Sequence, residues 1–224
     1  MFEQLKQLQG MTAEEIAAHD AAIAEIEARE REYAKQQRYE KSGAPQRYWR
    51  ETLYTYERDT EGQQKAAEAL TDFIDAVKTG RPQILVLLGP VGTGKSHLCC
   101  AAIRELGGRY MTAAELVEEI RHAKAFNADA TEKQILERFA ACKLSVIDEV
   151  GRGVNANDEK YTLYGFVNAL YNRYGSAIIT SNFTKSDFLQ YVGQAVADRL
   201  VEYGQIVEIQ GDSYRKKLRG INGR

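Results

Sequence analysis

Hydrophobic residues along the chain follow two different periods. Near the start they recur at helical steps: Phe2, Leu5 and Leu8 before Gly10, then Ile16, Ile23, Ile26 and Tyr33 among Glu, Arg and Ala. Between these two groups "TAEE" at 12–15 reads as a capping box, with Thr12 as N-cap and Glu15 reaching back. The apolar stripe is narrow, which fits either a solvated helical arm or an element that docks on another protein. From about residue 62 the pattern becomes mixed. A helix is predicted over 64–78, ending at Gly80, and "QILVLL" at 83–88 is apolar at consecutive positions, as in a parallel strand covered on both faces. Further strands are predicted at 109–112, 143–150, 177–182 and 205–210. Helices intervene, two of them opened by the capping boxes "TAAE" at 112–115 and "TEKQ" at 131–134, and a third lies over 158–174 with Leu163, Phe166, Val167, Leu170 and Tyr174 on one face. Strands alternating with helices predict a three-layer α/β fold. The expected organisation is a helical arm at 1–41, a linker at 42–62 and an α/β domain at 63–224.

Between arm and domain, "RYEKSGAPQRYWR" at 38–50 interleaves Arg38, Lys41, Arg47 and Arg50 with Tyr39, Tyr48 and Trp49. That mixture fits nucleic acid, or a linker whose aromatics pack back on the main domain. Composition narrows the classes. With 30 Lys plus Arg against 32 Asp plus Glu, the net charge of −2 confines any polyanion-binding surface to a local patch. No apolar run reaches the ~20 residues of a bilayer span, and the charged start "MFEQLKQLQG" lacks the core of a signal peptide, so a cytoplasmic, membrane-free location is expected. Cys99, Cys100 and Cys142 form no CxxC pair, which speaks against a zinc site or a disulfide framework.

The chemistry is concentrated in "GPVGTGKS" at 89–96, a full match to GxxxxGK[ST] between a predicted strand and a predicted helix. Gly89, Gly92 and Gly94 permit backbone conformations closed to other residues. Amides from Gly92 through Thr93 to Ser96 can then surround a β-phosphate at a helix N-terminus. Lys95 reaches the β- and γ-phosphates, and the Ser96 hydroxyl can ligate Mg²⁺; His97 follows at the next position and reads better as a packing residue than as a base. About fifty residues on, "LSVIDEV" ends a strand in Asp148 and Glu149. Asp148 is the expected partner of Mg²⁺, and Glu149 can polarise a water aimed at the γ-phosphate, a second acid that hydrolysis needs and simple phosphoryl transfer does not. Asn182, at the end of "IITSN", can sense the γ-phosphate, a role open also to Ser181 or Thr180. Arg199 in "VADRLVEYG" is either a surface residue or a finger reaching a neighbouring subunit's nucleotide.

In order along the chain, "RYEKSGAPQRY", "GPVGTGKSHL", "VIDEVG", "TSN", "ADRL" and "GDSYRKK" resemble the AAA+ ATPases of the DnaC/IstB-like family, and more closely the DnaC-type replicative helicase loaders. The resemblance covers about residues 30–218. It implies a five-stranded parallel sheet with the P-loop strand near the centre, no full C-terminal lid, ATP and Mg²⁺ as cofactors, Arg199 as the finger and Arg215 as a second nucleotide-facing arginine. It further implies that the arm grips a hexameric replicative helicase of the DnaB type. The AAA+ domains would associate with one another, and single-stranded DNA would meet an insertion at 115–134 that contains Arg121, Lys124 and Phe126. An IstB-type transposition helper that bends duplex DNA fits "DRL" and "GDSYR" nearly as well. A P-loop small-molecule kinase and a nucleotide-gated module with little turnover are the other classes weighed.

Overall fold

The structure, a computed structural model, describes residues 12–123, 130–153, 155–211 and 214. The chain divides into two compact units, Met1–Gln37 and Arg38–Arg224. The first unit is helical from Ala13 onward. It forms the greater part of α1 (Ala13–Glu40), and at its start the Glu15 amide donates to Thr12 Oγ1 while the Thr12 amide donates to Glu15 Oε2. The predicted capping box therefore forms. Ile23, Ile26 and Tyr33 are exposed along it. Phe2, Leu5 and Leu8 lie outside the described residues.

The second unit holds α2 (Glu61–Lys78), β1 (Ile84–Leu88), α3 (Lys95–Leu106), β2 (Arg109–Thr112), α4 (Ala113–Ala123) and α5 (Glu132–Ala140). These are followed by β3 (Ser145–Val150), α6 (Ala156–Arg173), β4 (Ala177–Ser181), α7 (Lys185–Val192), α8 (Gln194–Tyr203) and β5 (Gly204–Glu208). All five strands are parallel, in the order β2-β3-β4-β1-β5, so β4 is central and β1 lies between it and the edge strand β5. α2 starts three residues earlier than its periodicity predicts, because Thr60 and Gln63 build a capping box in front of it. Both boxes predicted farther on also form, at Thr112–Glu115 and Thr131–Gln134.

Alternate strand residues feed two cores, as the two-residue strand period requires. Leu85, Leu87, Val146 and Ile178 pack with α2 and α3 on one face; Ile84, Val86, Ile147 and Ile179 pack with α4 to α8 on the other. The loop after β1 and the acidic end of β3 thus emerge at the same sheet edge, where open parallel sheets place their ligands.

The segment 38–60 packs back on this unit. Tyr39, at the end of α1, is fully buried, with its ring edge-on to Trp49 at 5.2 Å, and the Arg104 guanidinium lies 4.9 Å from the Trp49 ring. Tyr48 and Trp49 are half-buried against the same core, so the aromatics between arm and domain pack back on this unit.

Candidate nucleotide site

The cleft, of about 360 Å³, lies at the carboxyl ends of β1, β3 and β4. Its floor is the loop 89–94, which enters α3 at Gly94. That residue has φ 90°, and a Cβ there would fall 2.5 Å from the Tyr56 ring. Glycine is thus required twice, by the left-handed backbone and by the approach of the ring. Tyr56 donates its hydroxyl to the Thr93 carbonyl at 3.0 Å. Gly92, Thr93, Gly94, Lys95, Ser96 and His97 all line the cleft.

Lys95 is 8% exposed, and its ammonium donates to the Gly89 and Pro90 carbonyls at 2.6 and 2.8 Å. Burial pushes its pKa down to about 8, and the charge of Asp148 works against that shift. Phosphate oxygens in the cleft would add to the Asp148 effect and hold the ammonium charged.

Asp148 is buried, and its carboxylate accepts four hydrogen bonds. Thr180 Oγ1 and the Glu149 amide (3.0 Å) donate to Oδ1, and Ser96 Oγ (2.7 Å) and the Tyr110 hydroxyl donate to Oδ2. Burial, then the Asp148 charge, raises the Tyr110 phenol far above its ordinary range, so it is a constant donor. Ser96 and Asp148 offer hard oxygens side by side, and among the described residues no group of three or more His, Cys, Asp or Glu could hold a metal ion. Two protein oxygens beside a phosphate cradle suit Mg²⁺, which keeps waters and takes phosphate oxygens instead of filling an all-protein cage.

Glu149 follows at a register break between β3 and β4 that falls between Ile147 and Val150, with φ 62°. A bulge of this kind turns a side chain out of the strand alternation. Its amide, lost to the ladder, donates to Asp148 Oδ1 and to Thr180 Oγ1 at 3.1 Å. The Glu149 carboxylate lies at the cleft and meets Arg152 at 2.9 Å. The loop carrying Arg152 is pinned by Glu159, which is 1% exposed and accepts from the Gly151 amide, the Gly153 amide (3.0 Å) and the Tyr191 hydroxyl (3.0 Å). Glu159→Ala leaves these donors unpaired and is expected to cost about 3 kcal/mol in urea denaturation. A loss below about 0.5 kcal/mol, the range of ordinary surface changes, would remove Glu159 from this role.

Asn182 lines the cleft. Thr180 lines it too, with its hydroxyl committed to Asp148, while Ser181 does not line it and donates to the Val150 carbonyl at 2.7 Å. His97 Nε2 donates to the Thr52 carbonyl at 2.8 Å and Nδ1 lies 3.3 Å from Glu51, which ties the wall 51–56 to α3. Arg199 does not line the cleft of its own chain. Its guanidinium donates to the Ala195 carbonyl at 2.7 Å and lies 5.6 Å from the Tyr171 ring. Arg121 is engaged by Asp158 at 2.8 Å and Glu118 at 3.5 Å. Lys124, Phe126 and Arg215 lie outside the described residues.

Sequence reasoning missed Tyr110, Arg152, Glu159 and the cleft wall of Arg47, Tyr48 and Tyr56. Tyr110 and Glu159 carry no motif. Arg152, three residues beyond Glu149, had a signal in that spacing.

The family model of IstB-like ATP binding proteins matches residues 4–221. The chain belongs to this family. It is 30% identical over 147 residues to a Pseudomonas aeruginosa protein described as an ATP-binding protein of insertion sequence IS21, covering 61% of this chain and 54% of that one. The chain thus spans about half the length of that relative. It is 26% identical over 186 residues to the replicative helicase loader DnaC of Buchnera aphidicola subsp. Baizongia pistaciae, covering 80% of this chain and 75% of that one. The crystal structure of the DnaC helicase loader matches with a TM-score of 0.65 at 20% identity, over 74% of this chain and 100% of that chain. AMPPCP-bound DnaA from Aquifex aeolicus matches with a TM-score of 0.57 at 22% identity, over 81% and 57%. The α/β fold with a five-stranded parallel sheet expected from the sequence is therefore the one the chain adopts, and the family is one of ATP-binding proteins. Among the described residues, no helix is long and apolar enough to cross a membrane.

Proposed function

We propose that the chain is an ATP-dependent loader that binds a hexameric replicative helicase and places it on single-stranded DNA, with hydrolysis driving release. The observation that carries this reading is the joining of an ATP-type phosphate cradle to a 28-residue helix whose apolar residues Ile23, Ile26 and Tyr33 are exposed. The likeness to DnaC over 80% of this chain supports it. Amides of 92–96 and the Lys95 ammonium hold the phosphates, with Gly89 and His97 shaping the loop. Ser96 and Asp148 would hold Mg²⁺, which supplies charge to the β- and γ-phosphate oxygens when bound. Glu149 takes the proton of the attacking water and Asn182 orients it. Arg199 serves a neighbouring subunit's nucleotide, in keeping with its place away from its own cleft, and Arg215 faces the nucleotide. Arg121, Lys124 and Phe126 meet single-stranded DNA, for which Arg121 exchanges its carboxylate partners for phosphate. Turnover is weak in the monomer, since the finger comes from a neighbour, and the protein works in the cytoplasm.

The experiment is co-purification with the cognate hexameric helicase, with and without ATP. Because Tyr39 is buried, the arm is tested by substitution and not by deletion through residue 40. The double variant Ile26→Asp, Tyr33→Ala is expected to weaken helicase capture about tenfold or more, as losses of interface anchors do, with ATP binding unchanged. Undiminished capture would sink the docking role.

A second reading, a transposition helper on duplex DNA, is favoured by the 30% identity to the IS21 protein. Tighter binding of duplex than of single strands, with no helicase captured, selects it.

A further inference from the structure

The carboxylate of Asp148 is fixed more firmly than its two neighbours in the P-loop and in β4 require. An aspartate's terminal torsion is broad and nearly two-fold, so a carboxylate held on one oxygen can swing. Here both oxygens are bonded, Oδ1 by Thr180 and the Glu149 amide, Oδ2 by Ser96 and Tyr110. In the proposed reading the Ser96 hydroxyl would offer an oxygen lone pair to the metal ion while its O–H still donates to Oδ2. Tyr110 is the second donor on that oxygen, and the one that does not itself belong to the phosphate loop.

Tyr110 is itself placed from outside the cleft. It lies on the edge strand β2, and its amide donates to the Ser42 carbonyl at 2.7 Å. Gly43 has φ 85°, and a Cβ there would fall 2.7 Å from the Tyr110 carbonyl oxygen, so only glycine lets the turn come so close. Ser42 Oγ donates to the Tyr39 carbonyl at 2.6 Å, and Tyr39 donates its hydroxyl to the Pro45 carbonyl at 2.8 Å. The stretch "SGAP" is thus a rigid turn braced against Tyr110.

We infer that Tyr110, seated by the Ser42–Gly43 turn, is a positioning residue that holds Oδ2 of Asp148 in place for the Mg²⁺–nucleotide complex. The inference rests on the reading of the cleft as an ATP and Mg²⁺ site. It assigns physical work to a stretch that otherwise serves only as a mark of family likeness, and it ties the root of α1 to the metal-facing acid through Tyr39, Ser42 and Tyr110.

The test uses the full chain and a fluorescent methylanthraniloyl-ATP probe, with binding followed as Mg²⁺ is titrated. Tyr110→Phe removes one oxygen from a buried ring. The Mg²⁺ concentration at half-effect is expected to rise about tenfold, the scale of one hydrogen bond to a charged group, while probe affinity in EDTA stays within about twofold of the parent. Tyr110→Leu, a smaller apolar side chain without an oxygen, is expected to shift the same way, so the test does not hang on one variant. An unshifted Mg²⁺ midpoint in both variants overturns the inference and leaves the ATP reading standing. Equal loss of affinity with and without Mg²⁺ also overturns it, since that marks a residue that only supports the fold. A parent protein indifferent to Mg²⁺ overturns the magnesium reading, and the inference with it.

Discussion

Glu149→Gln is expected to slow ATP hydrolysis about a thousandfold while leaving ATP affinity within about twofold. The amide keeps the size of the carboxylate and can still bond Arg152, but it cannot take the proton of an attacking water. The register break at Ile147–Val150 and the φ of 62° are the structural reasons to expect so lopsided an effect. Left-handed backbone at a residue with a Cβ costs about 1–3 kcal/mol, and it persists where the surroundings enforce it. Here the Asp148 carboxylate and the Thr180 hydroxyl enforce it by taking the Glu149 amide. The outcome is that consecutive acids serve different ends: Asp148 is buried beside Ser96, and Glu149 reaches the cleft. Phosphate release in a single turnover and probe binding are to be measured on the same preparation. A variant that loses affinity as far as it loses rate would show that Glu149 supports the loop and not the chemistry.

The frame of the molecule is written in local sequence. Strands buried on both faces read as unbroken apolar runs, and "ILVLL" and "AIITS" stand where those runs place them, within one or two residues. Capping boxes are equally plain, since their two partners lie three residues apart and need nothing else. The P-loop is legible for the same reason: strand, glycines, lysine and helix are contiguous, and the chemistry follows from the backbone they impose. Tyr110 is not legible, because its partner Asp148 is 38 residues away and only the pairing of β2 with β3 brings them together. Glu159 reads as one more polar position near the start of a helix; its burial depends on the loop 151–153 folding over it. The wall formed by Tyr48 and Tyr56 is invisible in sequence for a related reason. Their aromatic character predicts burial somewhere, and the segment's return across α3 through His97 decides where. Contacts that pass through the sheet order or through a returning loop are the part that sequence alone does not carry.

Lys95→Ala is expected to weaken ATP binding about a hundredfold, the sum of one or two hydrogen bonds to a charged partner. The residue is buried, its ammonium sits on the Gly89 and Pro90 carbonyls, and burial pushes its pKa down to about 8. A cation so placed is already partly desolvated, so in the proposed reading triphosphate oxygens beside the loop would offset part of that cost. Among the described residues no other lysine lines the cleft, and the other cations there, Arg47 and Arg152, stand on the wall and on the loop after β3. The backbone of the loop should survive the change, since the glycines and the Tyr56 contact with Thr93 set its course. The decisive measurement is calorimetric titration of ATP with Mg²⁺ into the parent and Lys95→Ala proteins, with matched thermal melts to show both folded. A parent that binds and a folded variant whose affinity falls about a hundredfold is the expected pair. A folded variant that binds as tightly as the parent would contradict the assignment of this cleft as an ATP site.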